Sequence, residues 1–501
     1  MNLMMLLEMA SGSMGDRVAY VNGDDRLTYA ELFESAGRAA HALRESGVDH
    51  LAFLDESSLS VPLGVFASAW AGKPFVPLNY RLTGTELESL LAQIAPSQLV
   101  TGEERVESLS SLETARVMGR SDFLSKARDA GAASLEQDWS MDPEDIAILL
   151  FTSGTTGPPK AAVIRHKHLV SYILGSVEFM SAEEEDASLV CVPPYHIAGM
   201  ASVASSVYSG RRVVQLPNFT AEAWLELARK EKVTHAMVVP TMLARIIEAL
   251  EGESDAALPS LRALSYGGGK MPQAVIERAL ELFPETQFAN AYGLTETSST
   301  ISILGPEDHR VAMQSDDPKV RRRLTSVGQP LPLLEVEIRD EDGNVVGPNE
   351  RGEIYVRGEQ VSGEYLGKGT QLLDDGFFPT RDGGSMDEEG YLFIEGRIDD
   401  IIVRGGENMS PGEIEDTLLE HPAVADAAVV GLPDEQWGEK VSAVVVLKAG
   451  AEASESELQD FVKERLRSSR TPEEIGFWPE LPYNETGKLL RRKVRSELMA
   501  G

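Results

Sequence analysis

Ile146-Ala147-Ile148-Leu149-Leu150-Phe151 runs directly into Thr152-Ser153-Gly154-Thr155-Thr156-Gly157-Pro158-Pro159-Lys160. The apolar run predicts a buried strand. The stretch after it holds hydroxyls, two glycines and a lysine within nine residues. That mixture suits a phosphate cradle: glycine lets backbone amides approach the oxygens, hydroxyls add donors, and lysine adds charge. It is not a G-x-x-x-x-G-K-[ST] loop, because two prolines precede the lysine and alanine follows it. A surface turn of small polar residues is the plainer reading, and the order of the string behind a buried strand argues against it.

The same alternation recurs outward from this segment. Leu189 to Val192 runs into Pro193-Pro194-Tyr195-His196, Ala236 to Val239 into Pro240-Thr241, and Ala263 to Tyr266 into Gly267-Gly268-Gly269. Phe288 leads into Asn290-Ala291-Tyr292-Gly293. A short apolar run, a turn and then a helical pattern predict layered α/β structure, with ligands at the carboxyl ends of the strands. Beyond Leu324 the texture changes. Residues 333 to 357 read as short alternating strands around an Asp342-Gly343 turn, which predicts a small β-rich subdomain. A last α+β unit begins near Asp399, with a helix start at Pro411-Gly412-Glu413 and β-runs at Ala427 to Val430 and Val441 to Leu447. Ser454 with Glu457 forms a capping-box pattern for a helix reaching about Arg467. Residues 104 to 138 read as a variable, partly exposed connection.

A chain of 501 residues is too long for one ordinary core, and two to four domains are expected. No stretch approaches the ~20 apolar residues of a membrane helix. Met1 to Ala10 lacks a basic n-region and carries Glu8, so it reads as an amphipathic helix of the fold, and a cytoplasmic location is expected. The single cysteine, Cys191, lies in an apolar run and reads as a buried structural thiol. The formal charge of −34 disfavours nucleic acid and anionic membranes as partners. Any anionic ligand must be held by local amides and cations against that field.

Six strings, in order, resemble the adenylate-forming superfamily of acyl-CoA synthetases, peptide-synthetase adenylation domains and luciferases. They are Phe151 to Ala162; Val192 to His196; Asn290 to Thr297; Gly376 to Asp382; Gly396-Arg397-Ile398-Asp399-Asp400 with Gly405-Gly406-Glu407-Asn408; and Asn484-Glu485-Thr486-Gly487-Lys488. The resemblance spans nearly the whole chain and is greatest to fatty-acid and other carboxylic acid–CoA ligases. It implies a large N-terminal α/β domain over residues 1–398, with layered subdomains and a small β-rich subdomain. A small mobile α+β C-terminal domain over 399–501 would follow. It implies ATP, Mg2+ and coenzyme A as cofactors, and a homodimer is common among such enzymes.

The implied chemistry is attack of a carboxylate on the α-phosphate of ATP, giving an acyl-adenylate and pyrophosphate, then transfer to a thiol. Negative charge meets negative charge, so cations and amides must be supplied. By resemblance Lys488 is the catalytic lysine, Glu296 the magnesium ligand and Thr295 a phosphate contact. Thr152, Ser153, Gly154, Thr155, Thr156, Gly157 and Lys160 match the phosphate loop. Gly268, Gly269, Asn290, Ala291, Tyr292, Gly293 and Ile394 belong to the implied nucleotide site, Tyr292 stacking on adenine, while Asp382 and Arg397 hold the ribose. His196 flanks the acyl pocket, for which Met200, Ser202, Met237, Val238 and Tyr266 are further candidates. Asp399 matches the hinge, and Gly405, Gly406 and Trp437 line the pantetheine path. Arg81 and Arg470 are weaker candidates for coenzyme A phosphates, the solvated reading being favoured for each.

Two positions depart from the pattern. Lys160 is followed by Ala161-Ala162 rather than glycine, and Thr380-Arg381-Asp382 has arginine where glycine is usual. Arg381 would alter the backbone options there and could touch a phosphate or an interdomain face. The apolar string Ile197 to Ser202 favours a medium-sized, mostly apolar acid without an α-amino group. A stand-alone adenylation enzyme that loads a carrier-protein thiol is the alternative. A non-catalytic nucleotide-binding relative is disfavoured by the joint presence of Lys488, Glu296, Asp382 and Arg397.

Overall fold

The computed structural model describes residues 1–134, 136–152, 159–405, 407–434, 436–484 and 489–500, the side chain of Asn408 excepted. The described chain divides into two compact units. The first comprises residues 1–324, 330–335 and 356–378, the second 325–329, 336–355 and 379–501.

Two sheets organise the first unit. In one, six parallel strands run side by side: Gln287–Leu294, Ala263–Gly267, His235–Val238, Ala187–Val190, Arg212–Gln215 and Val18–Asn22. Ser299–Leu304 and Asp25–Thr28 pair antiparallel at its two sides. In the other, Ile146–Thr152, Phe75–Pro77, His50–Leu54, Ser97–Thr101 and Ala115–Gly119 are parallel neighbours. Strand interiors such as Ala147, Ile148, Leu149 and Leu150 are all buried, as expected of parallel strands covered on both faces. Met4–Met14 is helical and buries Met4, Leu6, Leu7, Ala10 and Met14 in a core shared with Phe53, Trp70 and Phe75. Among the described residues, no helix is long and apolar enough to cross a membrane.

Two expectations change. The sequence pattern predicts a strand–loop–helix junction at the glycine-rich string. Lys160–Arg165 is instead a strand, antiparallel to Ile146–Thr152 with Thr152 opposite Lys160, and the helix His166–Ser176 starts only afterwards. Thr152 and Lys160, which flank the string, are therefore paired strand residues, and the next helix begins six residues beyond Lys160. The reason is legible in Ala161-Ala162-Val163-Ile164, a second buried apolar run that completes the sheet. The region 104 to 138, read as a connection, contains the helices Glu103–Leu109 and Arg120–Arg128 and the edge strand Ala115–Gly119. Arg120 bonds both carboxylate oxygens of the buried Asp55 at 3.1 Å, and Trp70 donates to the Glu136 carbonyl at 2.9 Å.

In the second unit, Glu335–Arg339, Gly352–Arg357, Phe378–Met386 and Leu392–Arg397 form a four-stranded sheet. The Asp342-Gly343 turn follows Glu335–Arg339, with Gly343 at φ +83°. Beyond it, Pro411–Leu419 and Glu455–Arg465 are helices packed on the long hairpin of Val424–Asp434 and Gly438–Leu447. The Ser454/Glu457 capping box is present, and the helix ends at Arg465. The expected division at 398/399 does not coincide with the limits of this unit. Residues on both sides of it interlock: Ser410 Oγ donates to the Glu395 carbonyl at 2.7 Å, and Arg351 pairs with Glu395 at 3.0 Å and with Glu413 at 3.9 Å.

Candidate active site

Glu296 sits in the 3-10 turn Thr295–Thr297, which joins the strands Gln287–Leu294 and Ser299–Leu304. The turn is held from several sides. Thr297 Oγ1 accepts from the Leu294 amide at 3.0 Å. The Ser362 amide and hydroxyl donate to the Glu296 carbonyl at 2.8 and 3.1 Å. Gln360 donates to the carbonyls of Thr297 and Thr300 at 3.0 and 2.8 Å. Gly293 is required by a close approach, because a Cβ there would overlap the Ser299 carbonyl. The Glu296 side chain is buried, and Tyr365 donates its hydroxyl to Oε1 at 2.5 Å. The ring of Tyr365 lies 5.4 Å from Lys160 Nζ, a cation–π distance.

Tyr365 carries no sequence signal of its own. It belongs to the two-residue strand Glu364–Tyr365, which pairs with Ala162, far earlier in the sequence. Arg165 pins the neighbouring Glu364 with bonds of 2.8 and 2.9 Å. Only pairing distant in sequence brings this phenol between Lys160 and Glu296. A single carboxylate with one oxygen already engaged suits magnesium, which takes one or two protein carboxylates and fills its remaining positions with phosphate oxygens and water.

Gly268 adopts φ +82° at the end of the strand Ala263–Gly267, and Gly267 pairs with Ala291. Asn290 is buried, and Tyr292 is half-buried opposite Ser302. His196 is the N-cap of the helix Ile197–Ser209. Its ring tilts against Tyr195 at 4.5 Å, and Nε2 is buried with no hydrogen-bond partner among the described residues. Burial pushes its pKa down to about 4, so the imidazole is neutral near pH 7. Met200 lies one turn along the same helix, fully buried.

The expected acyl lining separates by sheet face. Val190, Met237 and Ser265 stand in register across three neighbouring parallel strands, so their side chains share one face. Val238 and Tyr266 share the opposite face. Tyr266 is buried in the core that includes Leu243 and Phe288, and its hydroxyl bonds His309 Nε2 at 2.8 Å. Tyr266 and Val238 therefore do not join Met237 on one wall, and Ser265, one residue earlier, replaces Tyr266 there. Burial pushes the Cys191 thiol up to about 12, which agrees with its reading as structural.

In the second unit, Asp382 and Arg397 are directly opposite across a strand pair. Arg397 bonds Asp382 Oδ1 at 3.1 Å and the Thr380 carbonyl at 2.6 Å. Thr380 Oγ1 accepts from the Asp382 amide at 3.1 Å and donates to the Ile354 carbonyl at 2.8 Å. A buried carboxylate fixed by its neighbour is a suitable acceptor for a ribose diol. Ile394 is opposite Gly384 in the same pair of strands. Arg381 has φ +62°, the conformation that glycine adopts without cost. Its amide donates to Glu353 at 3.0 Å and its guanidinium to Asp399 at 3.0 Å, so its partners are two carboxylates of its own unit.

Gly405 has φ +59°, its amide donates to the Trp437 carbonyl at 2.7 Å, and a Cβ on it would meet the indole at 3.0 Å. Trp437 is 45% exposed, with the Arg404 guanidinium 5.5 Å from its ring. Arg81 lies over Tyr80 at 5.5 Å. Arg470 is not a solvated cation: it is 11% exposed and bonds Glu407 at 2.8 Å and Glu413 at 2.7 Å. Ser153, Gly154, Thr155, Thr156, Gly157, Gly406 and Lys488 lie outside the described residues.

With this geometry in place, comparison with known proteins decides the family. The profile of the AMP-binding enzyme family matches residues 7–366, and that of its C-terminal domain matches 413–488. The chain belongs to the AMP-binding enzyme family. A fatty acid–[acyl-carrier-protein] ligase of Streptomyces coeruleorubidus is 34% identical, over 94% of this chain and 91% of the relative. A 2-succinylbenzoate–CoA ligase of Bacillus licheniformis is 33% identical over 96% of each. The solved o-succinylbenzoate CoA synthetase of Bacillus subtilis, in complex with its acyl-adenylate intermediate, has a TM-score of 0.85 at 30% identity. It covers 98% of this chain and 97% of its own. The same synthetase has been solved with ATP and magnesium ion. The α/β architecture is thus that of adenylate-forming enzymes, and the family is one of ATP-dependent acid–thiol ligases.

Proposed function

We propose that this AMP-binding enzyme activates an apolar carboxylic acid with Mg-ATP and transfers the acyl group to the thiol of coenzyme A. In the first step a carboxylate oxygen bonds the α-phosphorus and pyrophosphate leaves. In the second the thiol sulfur bonds the acyl carbon, AMP leaves, and the thiol proton passes to solvent. The observation that carries the reading is the buried Glu296 carboxylate, oriented by Tyr365 next to Lys160. Such a group would hold magnesium, which would supply positive charge to offset the phosphates' repulsion of the incoming carboxylate. Asp382, fixed by Arg397, would serve the ribose hydroxyls, and by resemblance Lys488 would bridge carboxylate and α-phosphate. The neutral imidazole of His196 adds no charge beside the acid and can accept a hydrogen bond.

Met200, Met237 and Ser265 support a largely apolar acyl wall with one hydroxyl. The relatives include ligases for fatty acids, 2-succinylbenzoate, ferulate and indoleacetate, so the acid class is wider than fatty acids. The contact of Gly405 with Trp437 supports a pantetheine thiol as acceptor, whether on coenzyme A or on a carrier protein. The likeness to an acyl-carrier-protein ligase gives the second reading, transfer to a carrier-bound thiol. AMP release is to be measured with hexanoate, dodecanoate, ferulate, indole-3-acetate and 2-succinylbenzoate, with and without coenzyme A. Multiple turnovers that need both an acid and coenzyme A support the proposal. Pyrophosphate release that halts near one equivalent regardless of coenzyme A supports the carrier reading. ATP binding without AMP release for any acid refutes both for this panel.

A further inference from the structure

The glycine turn at Gly405 is fastened at both of its ends to one short element, the 3-10 turn Ser468–Arg470. On the near side, Arg404 donates to the Ser469 carbonyl at 2.8 Å and to Glu473 at 2.5 Å. On the far side, Glu407 accepts from Arg470 at 2.8 Å, and the hydrogen bond to the Ser469 side chain, with Arg470 and Arg467 nearby, holds its carboxyl below the usual range. Arg470 then reaches Glu413 at 2.7 Å, in the first turn of the helix Pro411–Leu419. Its guanidinium thus bridges the glycine turn to the helix and is nearly covered. Two charge-assisted bonds in fixed fork geometry define a direction as well as an attraction, which a lysine cannot reproduce. A different arginine serves the opposite side of the same helix: Arg491, three residues beyond Lys488, bonds Glu415 at 2.5 Å.

We propose that Arg470 is a positioning residue for thiol transfer: it holds the Gly405 turn against Trp437 so that the pantetheine arm can pass, and has no part in adenylation. The proposal rests on the ligase reading above. In this arrangement Nε and Nη1 of Arg470 are engaged by Glu413 and Glu407.

The two half-reactions separate this role from general stabilisation. Acid-dependent ATP–pyrophosphate exchange reads adenylation, and coenzyme A-dependent AMP release reads thiol transfer, each with whichever acid of the panel releases most AMP. In Arg470→Gln and Glu407→Gln, thiol transfer is expected to fall about tenfold or more, the usual scale for an outer-shell partner, while exchange changes by less than about twofold. Arg470→Lys, which keeps the charge and loses the fork, falls in between. Glu407→Gln removes only the turn's side of the bridge, so it remains informative if Arg470→Gln folds poorly. Parallel loss of both activities, or loss of neither, overturns the proposal. Should the wild type exchange pyrophosphate with no acid, the ligase reading fails for the panel. Calorimetry with coenzyme A alone then decides: a Kd at least about fivefold weaker in Glu407→Gln sustains the positioning role, and an unchanged Kd ends it.

Discussion

Tyr365→Phe deletes one hydroxyl and leaves the ring that faces Lys160, so it isolates the bond to Glu296. That bond is 2.5 Å long and ends on a carboxylate only 9% exposed. A hydrogen bond to a charged group contributes about 1.5–3 kcal/mol. Since ~1.4 kcal/mol is a factor of ten, the carboxylate's preferred orientation loses roughly 10- to 150-fold of its bias. Outer-shell partners of metal ligands typically cost about 10- to 100-fold in metal affinity or activity, which brackets the same range. The expected outcome is a rise of about tenfold or more in the Mg2+ concentration for half-maximal AMP release. The KM for coenzyme A should stay unchanged, because thiol transfer follows departure of pyrophosphate. Coupled AMP release titrated with magnesium at fixed ATP reads both quantities. A magnesium dependence within about twofold of wild type would refute the idea that Tyr365 orients a metal-holding Glu296. A fall in Tm without a change in magnesium dependence would make the tyrosine structural.

Gly293→Ala forces a Cβ onto the Ser299 carbonyl, a backbone atom that cannot rotate away. A loss of about 1–3 kcal/mol in urea unfolding is expected, and an unchanged midpoint would contradict the close approach. Arg381→Gly relieves a left-handed backbone that costs about 1–2 kcal/mol for a residue with a Cβ, while giving up exposed ion pairs worth about 0–1 kcal/mol each. Stability within about 1 kcal/mol of wild type is expected, and a loss beyond about 2 would mean the pairs with Asp399 and Glu353 hold more than surface pairs do. Burial holds His50, His166, His168, His196, His235 and His309 below their ordinary pKa. The folded state therefore binds fewer protons than the unfolded chain. This contribution is complete above pH ~6.5 and is lost as pH falls towards about 4, the folded value for His166, His168, His196 and His235. The urea midpoint should drop between pH 6.5 and 5, before ordinary carboxylates titrate, and a flat profile there would refute the buried neutral histidines.

Apolar runs of period two or unbroken burial made the α/β layering, the β-rich segment after Leu324 and the capped helix after Ser454 legible in the amino-acid sequence. Ordered strings marked Glu296, Asp382, Arg397 and Gly405, because their chemistry depends on residue type and local turn geometry. The rest depends on pairing between distant segments. Lys160–Arg165 became a strand because Ala161 to Ile164 found a sheet to complete. Met237 and Tyr266 parted because neighbouring residues on parallel strands point to opposite faces, and only the register decides which residues share a wall. Tyr365 reached Glu296 through a two-residue strand too short to carry a periodic signal. Arg470 looked like a free cation until Glu407 and Glu413, more than fifty residues earlier, closed around it. The sequence by itself thus determined the class of chemistry and the residues local turns present to it. The tertiary structure alone decided which side chains orient those residues, because cross-sheet register and long-range charge pairing have no local code.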